Sequence, residues 1–191
     1  MLRGYLGMAG TNSERTLIAE GPAIILVHPQ LGENIGMVAR AMANFGLAEL
    51  RLVNPRDGWP SEKAISAASK ADHVIEAAKV YPSLEEAVSD LEFVYATTAR
   101  DRYGYKEVRS PVVAADDLRT RFRAGQKTGI LFGRERTGLT NEEIALADEL
   151  VTFPVNPAFA SLNLAQVVLL MSYEWMKSGL ASVEDTPFDA L

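Results

Sequence analysis

The chain has 191 residues, a length that suits a single domain with short flanking segments. Hydrophobic residues make up 48% of the chain and charged residues 23%, which is the balance of an ordinary globular protein with enough apolar material for a core. There is no cysteine, so disulfides, thiolate metal sites and cysteine nucleophiles are excluded.

The amino terminus lacks the charged-then-apolar pattern of a signal peptide, and the uninterrupted apolar runs are far too short to span a bilayer. We therefore expect a cytoplasmic protein with no membrane partner. Residues 1–20 show no clear period and are predicted to be a flexible leader. Residues 21–180 are predicted to form the domain, and residues 181–191 a loosely attached acidic tail.

The net charge of −6 argues against nonspecific binding of nucleic acid, but the charge is unevenly distributed. Residues 100–136 contain ten basic and five acidic residues, a local charge of +5 that leaves −11 on the remainder. This separation fits a basic face on an acidic protein, and it fits ordinary solvated surface equally well.

Apolar runs and helical periodicity predict alternating strands and helices. In chain order they predict strand 23–28, helix 35–45, strand 50–53, helix 61–78, a capped helix after Ser83, strand 93–99, helix 114–124, strand 129–132, a capped helix after Thr140, strand 150–153 and helix 162–180. This alternation predicts an α/β fold with a parallel sheet flanked by helices. The last helix is apolar on most sides, which fits either a buried core helix or the contact surface of a homodimer.

Three polar segments each lie at or just after the end of a predicted strand and lead into a predicted helix. They are residues 34–46 (NIGMVARAMANFG), 131–143 (LFGRERTGLTNEE) and 156–166 (NPAFASLNLAQ). Loops at the carboxyl ends of parallel strands share one side of a sheet, so the three segments predict a common ligand site.

Several familiar site types are absent from these segments. The junction after the first strand reads HPQLGENIGM, which lacks the glycine spacing of a dinucleotide site, and no P-loop is present. His28 and His73 are isolated and have no metal-ligand spacing, so no metal site is expected. Ser161 has no nucleophile-elbow glycines around it.

The remaining candidates are Asn34, Arg40, Glu135, Ser161 and Asn163. Arg40 lies in an otherwise apolar helical run and is either a fork for a phosphate or oxyanion, or a surface arginine. The glycines that bracket GRERTG permit close approach to a ligand or serve as plain turn residues. Ser161 and Asn163 stand where helix caps are expected in any case.

Taken together and in this order, the three segments resemble the SpoU (TrmH-type) branch of the SPOUT RNA 2′-O-ribose methyltransferases. The first carries Asn34, Gly36 and Arg40, the second Gly133, Glu135 and Gly138, and the third Pro157, Ser161, Leu162 and Asn163. The resemblance runs from about Ala23 to Trp175. The amino-acid sequences of the second and third segments are most similar to those of the TrmJ-type tRNA methyltransferases, which modify a cytidine or uridine ribose at tRNA position 32.

The resemblance implies a SPOUT fold, a parallel sheet with a C-terminal trefoil knot, in a homodimer. It also implies that S-adenosylmethionine binds between three loops. On this chain the cofactor residues are then Thr97, Thr98, Ala99, Gly133, Gly138, Phe153, Ser161 and Leu162.

By the same resemblance Arg40 is the central catalytic residue. A guanidinium stays protonated in proteins, so we expect it to stabilise a developing alkoxide rather than act as a base. Asn34, Glu135 and Asn163 are expected to orient Arg40 and the ribose, and Ser161 to contact the cofactor or the 2′-hydroxyl. The RNA backbone is expected to meet Arg100, Arg102, Arg134 and Arg136.

Three alternatives stay open from the sequence. One is a nucleotide-binding α/β enzyme of another class, and another is a non-catalytic RNA-binding relative of the same fold. The third is the same chemistry on a different tRNA or rRNA nucleotide, such as tRNA position 18 or the wobble position. TrmJ-like proteins usually continue into a C-terminal extension that helps hold tRNA, and residues 181–191 are the expected start of such an extension.

Overall fold

A computed structural model of the chain describes residues 17–99 and 106–180. Of the predicted leader, only residues 17–20 are described, and they are exposed and have no regular secondary structure. The predicted tail, residues 181–191, lies outside the described residues.

The described residues alternate between strands and helices as predicted. In chain order they form β1 (Ala23–Val27), α1 (Gly32–Asn44), β2 (Leu50–Val53), α2 (Glu62–Ala68), α3 (Asp72–Ala77), β3 (Lys79–Tyr81), α4 (Leu84–Val88), β4 (Phe93–Thr97), β5 (Val108–Arg109), α5 (Pro111–Arg123), β6 (Thr128–Phe132), α6 (Asn141–Ala145), β7 (Glu149–Val151) and α7 (Leu164–Ser178).

The strands of the described part form one parallel sheet in the order β3-β2-β1-β6-β4-β7-β5. This confirms the predicted α/β fold. Because every strand runs the same way, all carboxyl ends meet on one side of the sheet, which we call the carboxyl edge. Strands β1, β6, β4 and β7 are consecutive neighbours, so the loops that follow them are brought side by side.

Both faces of the sheet are covered, which explains the continuous apolar run of β1. Ile24 and Leu26 pack on the side that holds α1, α2, α3, α5 and α7. Ile25 and Val27 pack on the other side, against α4 and α6. Side chains alternate between the two faces of a strand, so a strand buried on both faces needs apolar residues at every position.

Two short strands and one helix break were missed by sequence reasoning. The helix predicted over 61–78 is two helices, because Ser69 and Lys70 adopt positive φ angles of 46° and 73° between them. The three-residue β3 is mostly exposed and the two-residue β5 is half-exposed, so neither carries an apolar run.

Helices α1 and α2 pack closely at Gly36, a residue of the first polar segment. A Cβ added at this position would lie 2.2 Å from the carbonyl oxygen of Ala64 and 2.7 Å from the Cβ of Ala67. The glycine is therefore required by a close helix–helix approach, not by an unusual backbone angle.

The opposite, amino edge of the sheet holds a buried arginine. Arg51 in β2 is only 2% exposed, and its guanidinium donates hydrogen bonds to the carboxylates of Glu49 and Asp90 and to the carbonyl of Ala87. The guanidinium of Arg51 holds the pKa of Asp90 below its usual range. A buried charge is tolerated when its donors are satisfied in this way.

Candidate active site

The three polar segments converge at the carboxyl edge, as predicted. The first begins in the first turn of α1, the helix that follows β1; the second begins at the end of β6; and the third follows β7 and leads into α7. The loop after β4 joins them between the second and third segments, because β4 lies between β6 and β7 in the sheet.

A cavity of about 340 Å³ opens between these loops. Its size lies within the range of small-molecule and cofactor sites. Backbone and side chains of the loops after β4, β6 and β7 line it, and its floor includes Phe132, Leu164 and Val167. All eight residues predicted to hold a cofactor line this cavity: Thr97, Thr98, Ala99, Gly133, Gly138, Phe153, Ser161 and Leu162.

The carboxylate of Glu135 joins the second segment to the first. It accepts hydrogen bonds from the backbone N–H of Gln30 at 2.9 Å, from that of Leu31 at 3.1 Å and from the Asn34 side-chain amide at 3.1 Å. A negative charge at the amino end of α1 is also favoured by the helix dipole. Helix α1 therefore begins at Gly32, earlier than the predicted start at Ile35, and Asn34 lies in its first turn.

Asn163 joins the third segment to the same network. Its side-chain NH₂ donates to the Oδ1 of Asn34 at 3.3 Å, and its own Oδ1 caps α7 by accepting from the backbone N–H of Ala165 and Gln166. One amide therefore serves as the predicted helix cap and as a link to α1. Glu135, Asn34 and Asn163 form a continuous hydrogen-bonded chain across the three segments.

The two glycines of the second segment have different physical roles. A Cβ at Gly133 would lie 2.3 Å from the backbone of Gly138, so the loop folds tightly back on itself at this point. Gly138 has a φ of +69°, and a Cβ there would meet nothing within 4 Å. The loop is closed by a hydrogen bond of 2.9 Å from the N–H of Gly138 to the carbonyl of Arg134.

Arg134 is occupied within the chain. Its guanidinium makes a bidentate pair with the carboxylate of Glu143, at 2.9 and 2.8 Å. Glu143 also completes the predicted capping box with Thr140 at the start of α6. Burial alone would raise the pKa of Glu143, but the Arg134 guanidinium and the Thr140 N–H outweigh it and hold the pKa below its usual value. The sequence shows the cap but not this ion pair.

Arg40 does not meet the network formed by Glu135, Asn34 and Asn163. Asn34 is 4% exposed on the inner side of α1, whereas Arg40 lies on an exposed stripe of the helix with Glu33, Met37 and Asn44. Arg40 is also not among the residues that line the cavity. The expectation that Arg40 and Asn34 lie close enough to share one site is therefore not met within one chain.

The predicted RNA-contact arginines fall into three groups. Arg136 is exposed, lines the cavity and makes no hydrogen bond or ion pair to any residue that the structure describes. Arg134 is paired with Glu143. Arg100 and Arg102 lie outside the described residues.

Other arginines of the basic segment 100–136 also have intramolecular partners. Arg109 pairs with Glu149 at 2.8 Å, and Arg121 with Asp117 at 2.8 Å. The guanidinium of Arg119 lies 3.4 Å from the ring centre of Trp175. Part of the local positive charge is therefore paired within the chain, and Arg119 links α5 to α7.

Fold and site together define an α/β protein with a cofactor-sized cavity built from the loops after β4, β6 and β7, to which the first segment is joined through Glu135. The family model described as "SpoU rRNA Methylase family" matches residues 21–173. The chain therefore belongs to the SpoU methylase family, which confirms the predicted family. Membership implies the C-terminal trefoil knot of this fold.

Individual relatives agree with this assignment. The chain is 40% identical over 151 residues to the uncharacterized tRNA/rRNA methyltransferase LasT of Escherichia coli K12, covering 79% of this chain and 66% of that protein. It is 39% identical over 159 residues to the tRNA (cytidine/uridine/adenosine-2′-O-)-methyltransferase TrmJ of Pseudomonas aeruginosa UCBPP-PA14, covering 83% and 62%. The crystal structure of TrmJ from Z. mobilis ZM4 matches with a TM-score of 0.77 at 56% identity, covering 83% and 70%.

The chain spans 62% to 66% of the length of the first curated relatives that it matches. Among the helices of the described residues, none has the length and apolar character needed to cross a membrane.

Proposed function

We propose that this chain transfers a methyl group from S-adenosylmethionine to a ribose 2′-oxygen of RNA, acting on tRNA in the anticodon loop at position 32. The observation that carries the proposal is the Glu135–Asn34–Asn163 network, which joins the three family motifs beside one cavity. The TrmJ proteins among its relatives favour tRNA, and the cytoplasm is the expected place of action.

The cavity fits a nucleoside sulfonium. Its lining combines apolar side chains such as Phe153 and Leu162 with Ser161 and with Thr97, whose hydroxyl donates to the carbonyl of Leu131. At Gly133 the backbone packs so closely against Gly138 of the same loop that no side chain fits. When bound, S-adenosylmethionine supplies an electrophilic methyl group, and the loops after β4, β6 and β7 would hold it.

The chain's own residues must then place the ribose and receive its proton. We assign Arg40 to the stabilisation of the developing alkoxide, with a substrate phosphate oxygen as the proton acceptor. Ser161 is assigned to the cofactor or the 2′-hydroxyl. Glu135, Asn34 and Asn163 are positioning residues in this scheme, because their polar atoms are used to join the loops.

We further propose a homodimer in which Arg40 acts on the partner's cavity. Helix α7 exposes Leu169, Leu170 and Tyr173, which are 39% to 44% exposed, and α1 exposes Met37 at 41%. Arg40 shares the exposed stripe of α1 with Met37. A second copy that covers these apolar side chains would also lie against Arg40, so its guanidinium would face the other subunit.

RNA affinity is assigned to Arg136 at the cavity and, from the sequence, to Arg100 and Arg102. Arg136 has a guanidinium with no partner among the described residues, and Arg100 and Arg102 follow the loop after β4 in the sequence. Arg134 is a secondary RNA contact in this proposal, because its guanidinium is already paired with Glu143. Phosphate contacts of this kind give affinity that falls steeply with salt.

The direct test incubates the purified chain with S-adenosylmethionine and an unmodified tRNA, followed by mass-spectrometric mapping of 2′-O-methylation. We expect methylation at position 32, and mapping in tRNA from a strain lacking the gene should show the same site unmodified. Methylation at position 18, at the wobble position or in rRNA would correct the substrate. Binding of S-adenosylmethionine with no methylation of any RNA would identify a non-catalytic relative, and binding of NADH instead would indicate another enzyme class.

Arg40→Ala is expected to lower kcat by about 10²- to 10³-fold while leaving S-adenosylmethionine affinity nearly unchanged, because the lost charge acts on the transition state. Arg40→Lys should recover only part of the rate, since it lacks the planar fork. Substantial turnover by Arg40→Ala would remove Arg40 from the site.

A mixed dimer tests whether Arg40 acts across the subunit interface. Arg40→Ala and Ser161→Ala are each expected to be inactive. In a random mixture, action on the partner's cavity rebuilds one intact site in each mixed dimer, so about a quarter of wild-type activity should return. Action within one chain would give no recovery.

A further inference from the structure

Phe159 is the most exposed of the large hydrophobic side chains in the described residues, with 80% of its surface exposed. Isolated exposed apolar residues are common on protein surfaces, so the position of the ring decides its meaning. Phe159 lies in the third segment between Val155 and Ala160, and both of these residues line the cavity. The ring therefore stands at the rim of the cavity and does not line its interior.

The backbone that carries this ring is held in a defined turn. The Oδ1 of Asn156 accepts a hydrogen bond from the N–H of Ala158 at 3.0 Å, and the carbonyl of Asn156 accepts one from the N–H of Phe159 at 2.8 Å. All four residues of this turn, 156–159, are exposed. The turn therefore fixes the backbone position of Phe159, whose ring is not packed into the core.

Two polar residues, Arg136 and Ser161, line the same cavity. Arg136 lines the cavity, is exposed and has no hydrogen-bonding or ionic partner in the part of the chain that the structure describes. Ser161 is exposed and lines the same cavity. A flat apolar ring, a guanidinium fork and a hydroxyl are the groups that recognise a nucleobase, a phosphate and a ribose, respectively.

We infer that Phe159 is a stacking platform for an unpaired nucleobase of the RNA substrate at the mouth of the cavity. Bases in a single-stranded loop can be splayed out and stacked on an aromatic ring, whereas bases within a duplex are already stacked on one another. The ring has no hydrogen-bonding group, so it favours unpaired bases without distinguishing one base from another. This assignment rests on the proposed function for the identity of the RNA.

The first test is spectroscopic and needs no turnover. The probe is an anticodon stem-loop RNA in which 2-aminopurine replaces one loop base at a time. Stacking on the ring should quench its fluorescence at one or two adjacent loop positions when the wild-type chain is added. Phe159→Ala should abolish that quenching, and Phe159→Trp should restore it.

The second test separates RNA binding from cofactor binding. Phe159→Ala should raise the KM for tRNA or the Kd for the stem-loop on the order of 10-fold, the typical effect of losing one base–aromatic stack. Phe159→Leu should lose nearly as much, because it keeps the apolar character without the flat ring. Affinity for S-adenosylmethionine, measured by calorimetry, should stay within about twofold of wild type. Val80→Ala is the matched control, because it removes an exposed apolar side chain from the distant edge strand β3.

Several results would overturn the assignment. Recovery of RNA affinity by Phe159→Leu would show plain apolar contact, and a parallel loss of S-adenosylmethionine affinity would show that Phe159 supports the cofactor loop. A change in oligomeric state in Phe159→Ala would identify a subunit contact instead. If the wild-type chain quenches the probe through Phe159 but methylates no RNA, the platform stands and the proposed function fails. If it methylates RNA equally well with and without the ring, the proposed function stands and the platform fails.

Discussion

Replacement of Glu135 by alanine should destabilise the whole carboxyl edge. The carboxylate accepts from two backbone N–H groups and one side-chain amide, and it is half-exposed. Each hydrogen bond to a charged group is worth about 1.5–3 kcal/mol, and the three share one acceptor, so we expect a total loss of roughly 2–4 kcal/mol. For a domain of this size that loss corresponds to a fall in Tm of roughly 5–15 °C.

A graded series makes this prediction specific to the network. In Glu135→Gln the amide oxygen can take the place of Oε1, which accepts from Gln30, Leu31 and Asn34, while the NH₂ faces the N–H of Gln30. We therefore expect a loss of only about 1 kcal/mol for Glu135→Gln. Urea unfolding followed by tryptophan fluorescence measures both variants.

The control removes a carboxylate that has no such partners among the residues that the structure describes. Glu76→Ala lies on the exposed side of α3 and should change the free energy of unfolding by less than about 0.5 kcal/mol. Affinity for S-adenosylmethionine should fall in Glu135→Ala, because the loop between Gly133 and Gly138 is no longer tied to α1. Our account of the network is refuted if Glu135→Ala unfolds at the same urea concentration as Glu76→Ala.

Three further predictions concern the second segment. Gly133→Ala should weaken S-adenosylmethionine binding at least about 10-fold, because the new Cβ, 2.3 Å from the backbone of Gly138, forces that backbone to move by about 1 Å; Gly138→Ala should cost only roughly 1 kcal/mol of stability for its positive φ. Acidification should destabilise the chain through Glu143, whose pKa is lowered in the folded state. The stability that Glu143 contributes is fully present above its ordinary pKa and is lost as the pH falls through the lowered value. Arg134→Ala should flatten that part of the curve of unfolding free energy against pH. Arg136→Ala should reduce the salt dependence of RNA binding by about one phosphate contact and leave the unfolding curve unchanged.

Each of these has a result that would contradict it. Equal losses of cofactor affinity in the two glycine variants, by calorimetry, would show that close packing at Gly133 is unimportant. Parallel acid unfolding curves for wild type and Arg134→Ala would show that the pair with Glu143 adds no stability. An unchanged salt slope for Arg136→Ala would remove this residue from the RNA contact surface.

The sequence predicts the cavity lining well because that lining depends on strand order and loop position. Once β6, β4 and β7 are neighbours, the residues placed just after them lie side by side and line the cavity. Family resemblance supplied the identities of Thr97 and Phe153, and apolar runs predicted β4 and β7, at or just after whose ends they lie. Neither source needed side-chain geometry.

The links between the loops could not be read from the chain. Glu135 and Leu31 are separated by 104 positions, and no local pattern shows that a carboxylate stabilises the start of α1. Similarly, the break at Ser69 and Lys70 uses positive φ angles without a glycine or proline to mark it. Which face of α1 carries Arg40 relative to Asn34 depends on both residues being in the helix. The sequence predicts that α1 begins at Ile35, three residues too late, which leaves Asn34 outside it.

The buried Arg51 cluster lies at the amino edge, away from the loops that form the cavity, and this separation affects how the protein can evolve. Strands of four or five residues separate that edge from the carboxyl edge by roughly 10–15 Å. Free-energy changes at sites this far apart, with no shared partners, are expected to add. Substitutions around Arg51 can therefore raise or lower thermal tolerance while the loops that meet the substrate drift independently, so stability and substrate choice are separately adjustable along the length of each strand.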